Sequence, residues 1–300
     1  MQNKITQSKN AIILKDLSIV FNKKQKNEFT LLDNLNYGFE KGKIHYIAGK
    51  SGSGKTVLIS HFNGLNKTQL GSIAVFDELI KIKFGKIMNV KKIRQKIGMV
   101  FQFAEYQLFK STIEKDIIFG PMNFKVKKDE AIKRAKKYLK LVGLDESFLP
   151  RNPFGLSGGQ KRRVAIAGIL AIEPEILIFD EPTAGLDPNG EREMLEIFKK
   201  LKAMGKTIIV VTHSMNHALE IADNVVVIGD KKILKSGNTY EIFQDEQLVM
   251  NENLSTPLIF KTIKELIAKD KKYNELLKIQ PRTVEELVKG INLIKYGNKA

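Results

Sequence analysis

The sequence predicts an α/β protein built around a parallel sheet. Three observations lead there. Residues 175–180, 206–212 and 225–228 are short apolar runs without polar alternation, as in strands covered on both faces. A glycine-rich stretch, residues 49–56, stands between an apolar run at 43–48 and a helical pattern at 57–62. Strands and helices then alternate along the chain, which places helices against a parallel sheet.

The elements follow in order. Residues 11–21 read as an opening strand, 22–27 as a polar, Lys-rich turn and 29–39 as a second strand. Residues 43–48 form a short apolar strand, and a helix starts near Val57. Residues 96–103 are a further strand. Residues 111–118 are a helix, with Ser111 and Glu114 at capping-box spacing. The Lys-rich helix at 129–141 presents a solvated face. After Gln244 the strand signals stop. Thr256 is placed as a helix N-cap with Pro257 in the first turn, and Leu258, Ile259, Ile263, Leu266 and Ile267 recur at helical spacing. Thr283 and Glu286 repeat the capping-box pattern before Val284, Leu287, Val288, Ile291 and Ile294. The chain therefore divides into an α/β unit at 10–244 and a helical appendage at 245–300, whose apolar faces need the main domain or another subunit.

Composition narrows the chemistry. The 300 residues include no cysteine, which excludes disulfides, thiolate metal sites and a cysteine nucleophile. Hydrophobic residues at 43% and charged residues at 28% describe a globular chain. The net charge of +17 comes almost wholly from lysine. It suits an anionic partner such as nucleic acid, phosphates or a membrane surface, and equally a Lys-rich solvated surface. No segment has the roughly 20 apolar residues of a membrane span; the longest candidate, 164–179, is broken by Glu173, Pro174 and Glu175. The N-terminal residues 1–9 are polar and lack an apolar signal core. A soluble protein, cytoplasmic or peripheral to a membrane, is expected.

Three motifs carry the function. Gly49-Lys50-Ser51-Gly52-Ser53-Gly54-Lys55-Thr56 fits the G-x-x-x-x-G-K-[ST] phosphate loop in full. Its glycines let consecutive N–H groups face one anion, and the following helix adds partial positive charge. Lys55 can reach β- and γ-phosphates, and the Thr56 hydroxyl can ligate Mg²⁺. Next, the strand ending in Asp180-Glu181 sets two carboxylates at the sheet edge where ligands of α/β sheets bind. Asp180 can hold Mg²⁺, directly or through water, and Glu181 can take a proton from an attacking water. Finally, Leu156-Ser157-Gly158-Gly159-Gln160 opens an apolar helix at 164–172 and forms a second anion-suited helix N-terminus. One nucleotide needs only one phosphate loop, so this second site asks for another role.

The order of phosphate loop, Gln102, residues 156–160, Asp180-Glu181 and His213 resembles the ATP-binding cassette (ABC) ATPases over about residues 10–240. The separation of Gly49 from Ser157 is that of transporter cassettes; chromosome-structuring relatives carry a long coiled-coil insertion there. Val100-Phe101-Gln102-Phe103-Ala104-Glu105-Tyr106-Gln107-Leu108-Phe109, residues 116–121 and residues 163–168 are similar to one subfamily, the energy-coupling factor (ECF) transporters of vitamins and transition metals. Residues 181–188 look more like the second ATPase paralogue of that family. Ala104 departs from the family's usual proline.

The resemblance implies a P-loop NTPase fold of ABC type: a parallel core sheet, an antiparallel β subdomain, a helical signature subdomain and a small helical extension serving dimerisation. It implies ATP and Mg²⁺ as cofactors. Residues 49–56 would hold the nucleotide, and Ser157, Gly158, Gly159 and Gln160 of a partner subunit would cap the same γ-phosphate in a head-to-tail dimer. Gln102 would contact Mg²⁺ or the lytic water, His213 the γ-phosphate, and Asp187 the dimer interface. Phe21 is preferred over Phe29 for stacking on adenine, a core phenylalanine being the plain alternative. Tyr106, Leu108 and Phe109 would form a docking groove for a membrane subunit, with Glu105 pairing an arginine there. The partners implied are a second ABC ATPase, a transmembrane coupling subunit and a substrate-capture membrane subunit, at the cytoplasmic face of the cell membrane. An ordinary ABC importer or exporter ATPase is the alternative. A nucleic-acid-acting relative or a non-catalytic module fits less well, since the chain holds one cassette with Glu181 and His213 present, and no nucleic acid is expected.

Overall fold

The structure is a computed structural model that describes residues 9–22, 25–67, 70–76, 78–83 and 86–297. The polar N-terminal residues 1–8, and Lys23 and Lys24 of the first turn, lie outside the described residues. A six-stranded sheet forms the centre, in the order Lys232–Gly237, Asn224–Gly229, Ile44–Ala48, Thr207–Val211, Ile176–Asp180 and Ile97–Val100. Its inner strands are parallel, and Lys232–Gly237 closes one edge antiparallel. Beside it lies an antiparallel sheet in the order Phe29–Glu40, Asn10–Phe21, Leu70–Val75 and Glu78–Leu79.

The uniform apolarity of the central strands has a direct cause. Leu177 and Phe179 face one core, and Ile176 and Ile178 face another; Ile208 and Val210 alternate with Ile209 and Val211 in the same way. Both faces are covered, so neither residue parity is free to be polar. The second core holds the antiparallel sheet through Ile12, Leu14, Leu17 and Phe39, together with Leu58, Ile59 and Phe62 of the helix Lys55–Phe62. The phosphate-loop helix is thereby packed in the apolar layer that also holds the antiparallel sheet. The first core receives the helices Ile113–Asn123, Lys128–Leu141 and Gly158–Leu170. In Lys128–Leu141, Ala131, Ala135, Tyr138 and Leu139 face inward at helical spacing, which leaves the lysines in solvent.

Several local expectations need correction. The strand at 96–103 ends at Val100, and Phe103 turns into the left-handed region at φ 60°. Ser111 does not cap the next helix: Thr112 does, accepting from Lys115 N, while Glu114 N donates to the Leu149 carbonyl. The apolar helix placed at 164–172 begins earlier, at Gly158, and Ser157 caps it. Thr256 is not an N-cap either. Pro257 occupies that position, and the exposed Leu258 N–H is met by Asn216 Oδ1 at 2.8 Å. Thr283 is an N-cap, but Glu286 Oε2 accepts from Arg282 N in place of the cap's own N–H.

The helices after Gln244 share the first core. Phe260, Ile263, Leu276 and Leu287 are buried in it, and Phe260 packs on Tyr240 and Phe243 with ring centroids 5.5 and 6.1 Å apart. Val284, Val288, Leu293 and Tyr296 remain exposed. No helix among the described residues is long and apolar enough to cross a membrane.

Candidate nucleotide site

The phosphate loop joins the end of the strand Ile44–Ala48 to the helix Lys55–Phe62. Gly49 sits at φ 140°, and a Cβ there would collide with the Ile228 carbonyl of the neighbouring strand. Glycine at this position is what lets the chain leave the sheet and curl. Lys55 Nζ donates to the Gly49 and Lys50 carbonyls at 2.8 and 2.7 Å, so the cation is held over the loop by the loop's own backbone. Burial lowers the Lys55 pKa, against the opposing charges of Glu181, Asp180 and Glu252.

The strand Ile176–Asp180 delivers both carboxylates to the same place. Thr56 Oγ1 donates to Asp180 Oδ1 at 3.3 Å, tying the first turn of the helix to the strand end. Glu181 adopts the left-handed region at φ 47°, and its N–H donates to the Val211 carbonyl at 2.8 Å. That contact registers Glu181 against the end of the next strand, whose continuation brings His213 Nε2 to 3.4 Å from Glu181 Oε1. Burial raises the pKa of both Asp180 and Glu181; the Thr56 hydrogen bond and Lys55 oppose it at Asp180, and His213 and Thr212 oppose it at Glu181.

These groups line one cavity of about 530 Å³ with Ser51, Gly52, Gly54 and Gln102. Thr56, Asp180 and Gln102 present hydroxyl, carboxylate and amide oxygens there, a hard-donor set suited to Mg²⁺. Among the described residues no group of three or more His, Asp or Glu side chains could hold a metal ion.

Other predicted residues lie elsewhere. Ser157, Gly159 and Asp187 line a second cavity of about 350 Å³ with Arg163 and Gly185. Gln160 accepts from Ser157 N through its side-chain Oε1 and donates its backbone N–H to Ser157 Oγ, a complete capping box. Gly158 faces open space. Asp187 caps the helix Pro188–Ala203 by accepting from Gly190 N at 2.8 Å. Phe21 and Phe29 pair across the first two strands at their turn end, both exposed, and the wall that the antiparallel sheet gives to the 530 Å³ cavity is Leu31. The docking groove also changes. Leu108 is a core residue, whereas Tyr106 and Phe109 are exposed. Glu105 is already paired within the chain, to Arg162, and so is not free for a membrane-subunit arginine as expected. Burial works to raise the Glu105 pKa, but the Arg162 hydrogen bonds and charge outweigh it and hold it below the usual value.

Some residues at these sites carry no signal in the sequence. Leu31 is an ordinary strand residue in sequence, and nothing in the spacing brings Arg162 to Glu105.

The ABC transporter family pattern matches residues 32–184. The chain is 51% identical over 277 residues to the energy-coupling factor transporter ATP-binding protein EcfA2 of Mycoplasma pneumoniae, covering 92% of this chain and 91% of that protein. It is 49% identical over 282 residues to the protein of the same name from Mycoplasmoides gallisepticum, covering 92% and 89%. Among solved structures it resembles cbiO1 from Clostridium perfringens, described as part of the ABC transporter complex cbiONQ, at TM-score 0.72 and 33% identity over 86% of this chain and 100% of that one. The ATP-binding cassette MJ0796, in a post-hydrolysis state bound to ADP and Pi, matches at TM-score 0.65 and 32% identity over 76% of this chain and 98% of that one.

Proposed function

The chain belongs to the ABC transporter ATPases and, within them, to the energy-coupling factor ATP-binding proteins, and from that premise we propose how its site hydrolyses ATP and hands the energy to a membrane partner. The phosphates of ATP lie along the amides of residues 49–56, with Lys55 on the β- and γ-phosphates. Thr56, Asp180 and Gln102 hold Mg²⁺, which when bound offsets phosphate charge. Glu181 accepts a proton from the attacking water as the water oxygen bonds the γ-phosphorus and the bond to the β-phosphate oxygen breaks. His213 donates to the γ-phosphate and stays beside Glu181. Burial that raises the Glu181 pKa makes it a better base than an exposed carboxylate.

The signature residues lie outside this cavity, so they serve a second nucleotide. Ser157, Gly158 and Gly159, with Asp187 nearby, cap the γ-phosphate held by another ATPase cassette in head-to-tail arrangement. The exposed Val284, Val288, Leu293 and Tyr296 of the tail add to that pairing. Adenine stacks on Phe21 at the turn end of the first two strands. The surface around Tyr106 and Phe109 receives a transmembrane coupling subunit, which places the protein on the cytoplasmic face of a membrane and its ATPase behind the uptake of a vitamin or metal ion chosen by a separate membrane subunit.

One observation carries this reading: Lys55, Thr56, Gln102, Asp180, Glu181 and His213, drawn from four separate stretches of chain, line a single cavity. Coexpression with candidate transporter genes tests it. The chain should copurify with a second ABC ATPase and a membrane subunit, and the complex should hydrolyse ATP. A chain that purifies alone and leaves vesicle uptake unaffected by ATP would contradict the transport assignment.

A further inference from the structure

Arg162 makes a set of contacts that the nucleotide chemistry above does not use. It stands in the first turns of the helix Gly158–Leu170, with its side chain 7% exposed. Its Nε donates to Glu105 Oε2 and its Nη2 to Glu105 Oε1, each at 3.2 Å, a paired fork on one carboxylate. Its Nη1 donates to the Pro182 carbonyl at 3.1 Å and to the Ala184 carbonyl at 2.8 Å. Every nitrogen of the guanidinium is engaged.

The two segments it grips are those that carry the reacting groups. Glu105 follows Gln102 by three residues, in the 3-10 turn Ala104–Gln107. Pro182 follows Glu181 directly. Both segments contain a strained backbone: Phe103 at φ 60° and Glu181 at φ 47° are non-glycine residues in the left-handed region. Such conformations cost free energy and persist only where surrounding contacts enforce them. Beyond Val100 and Asp180 the strands end, and past the Glu181 N–H bond to the Val211 carbonyl neither segment has strand pairing. A buried guanidinium with donors fixed in one plane can set the distance between two such segments; an ammonium, with one point of charge, cannot.

We propose that Arg162 is a positioning residue for ATP hydrolysis, a clamp that fixes the Gln102 loop and the Glu181 turn to each other and to the helix that begins at Ser157. It lies outside the 530 Å³ cavity and lines the second one beside Ser157 and Gly159, and its hydrogen bonds go to protein oxygens. It keeps Gln102 and Glu181 at the separation that in-line attack requires. Because the same helix carries the signature residues, the three segments shift as one body. The inference rests on the reading of Glu181 as base and Gln102 as its companion.

The test uses the full chain with whatever transporter subunits copurify with it. Steady-state hydrolysis, ATP affinity measured with a fluorescent ATP analogue, and thermal melting are compared for Arg162→Gln, Arg162→Lys, Glu105→Gln and the Glu105→Gln/Arg162→Gln pair. Folded Arg162→Gln should lose about 10²-fold in kcat, the scale of a small misplacement at a reacting centre, with ATP affinity held within about threefold. Arg162→Lys should not restore kcat. Glu105→Gln, which leaves the carbonyl contacts, should lose less, and the double variant should be no slower than Arg162→Gln alone. A folded Arg162→Gln protein with wild-type kcat, full rescue by lysine, or equal loss of affinity and kcat would each overturn the clamp. If Arg162→Gln does not fold, Glu105→Gln decides: unchanged kcat overturns the proposal, and reduced kcat with intact binding supports it. Wild-type hydrolysis by Glu181→Gln would instead defeat the underlying base assignment, whatever Arg162 does.

Discussion

His213 Nε2 stands 3.4 Å from Glu181 Oε1, with the imidazole mostly in solvent and the carboxylate mostly out of it. Burial raises the Glu181 pKa and His213 opposes that rise, so the acid is tuned between desolvation and its neighbour. A base must be deprotonated to act. Hydrolysis should therefore fall as pH drops through a value above the ordinary 4.5 of a glutamate. Glu181→Gln should cut kcat by about 10²–10⁴-fold while ATP binding survives. A pH–rate series with single-turnover assays checks both; wild-type turnover by this variant would remove Glu181 from the mechanism.

The same environment has a consequence for stability. A carboxyl whose pKa is raised in the folded state binds its proton more tightly there than in the unfolded chain. Its contribution to stability therefore declines as pH rises from the unfolded value through the folded one. In its ionised form each of Glu181 and Asp180 weakens the fold. Glu181→Gln, which is neutral at every pH, should melt higher than wild type at pH 7 without nucleotide, and the gap should close on acidification. Differential scanning calorimetry at pH 7 and pH 5 reads this directly. A lower melting point at pH 7 would mean that the hydrogen bonds at Glu181 outweigh its desolvation.

The hydrogen bond from Thr56 Oγ1 to Asp180 Oδ1 joins two of the oxygens suited to Mg²⁺. Removing the hydroxyl takes away a ligand and also the group that orients the carboxylate. Thr56→Ala should raise the Mg²⁺ concentration for half-maximal hydrolysis by about 10–100-fold, the cost of losing a ligand-orienting partner. Titration of ATPase activity against Mg²⁺ at saturating ATP measures the shift. Thr56→Ser, which keeps the oxygen, should restore most of it.

Much of this site could be read from residue order because its parts are local. Residues 49–56 need only the strand before them and the helix after them, and Asp180-Glu181 need only the end of an apolar strand. Contacts that cross the chain were not legible. Arg162 reaches Glu105 and Pro182 across segments distant in sequence. Glu252, buried with Oε2 lacking a hydrogen-bond partner, packs on Gly229, where a Cβ would fall 2.5 Å from its carboxyl carbon. It also acts electrostatically on Lys55. Nothing in the local pattern marks a glutamate after the last strand as a neighbour of the phosphate-loop lysine. The helix cap misread at Thr256 shares that cause, since Asn216 supplies the acceptor from elsewhere in the fold; at Ser111 the cap is its neighbour Thr112, a shift of one residue.

The tail offers the most direct check on the packing. Tyr240 is 1% exposed, and its hydroxyl donates to the Pro281 carbonyl at 2.6 Å. Pro281 lies between the helices Glu275–Ile279 and Val284–Tyr296, so this bond ties the start of the last helix to the body of the protein. Arg282 supports it by donating Nη1 to the Ala222 carbonyl at 2.8 Å. Tyr240→Phe keeps the ring against Phe260 and deletes only the hydroxyl. Losing a buried hydrogen bond of this kind costs about 1–2 kcal/mol, a fall in melting temperature of roughly 2–8 °C for a domain of this size. Because the ring packing and the nucleotide cavity are untouched, ATP affinity should not change. Limited proteolysis should cut sooner within residues 270–297 than in wild type, since the segment opens without global unfolding. Equal cleavage rates alongside a lowered melting temperature would instead mean that the tail unfolds only with the whole molecule.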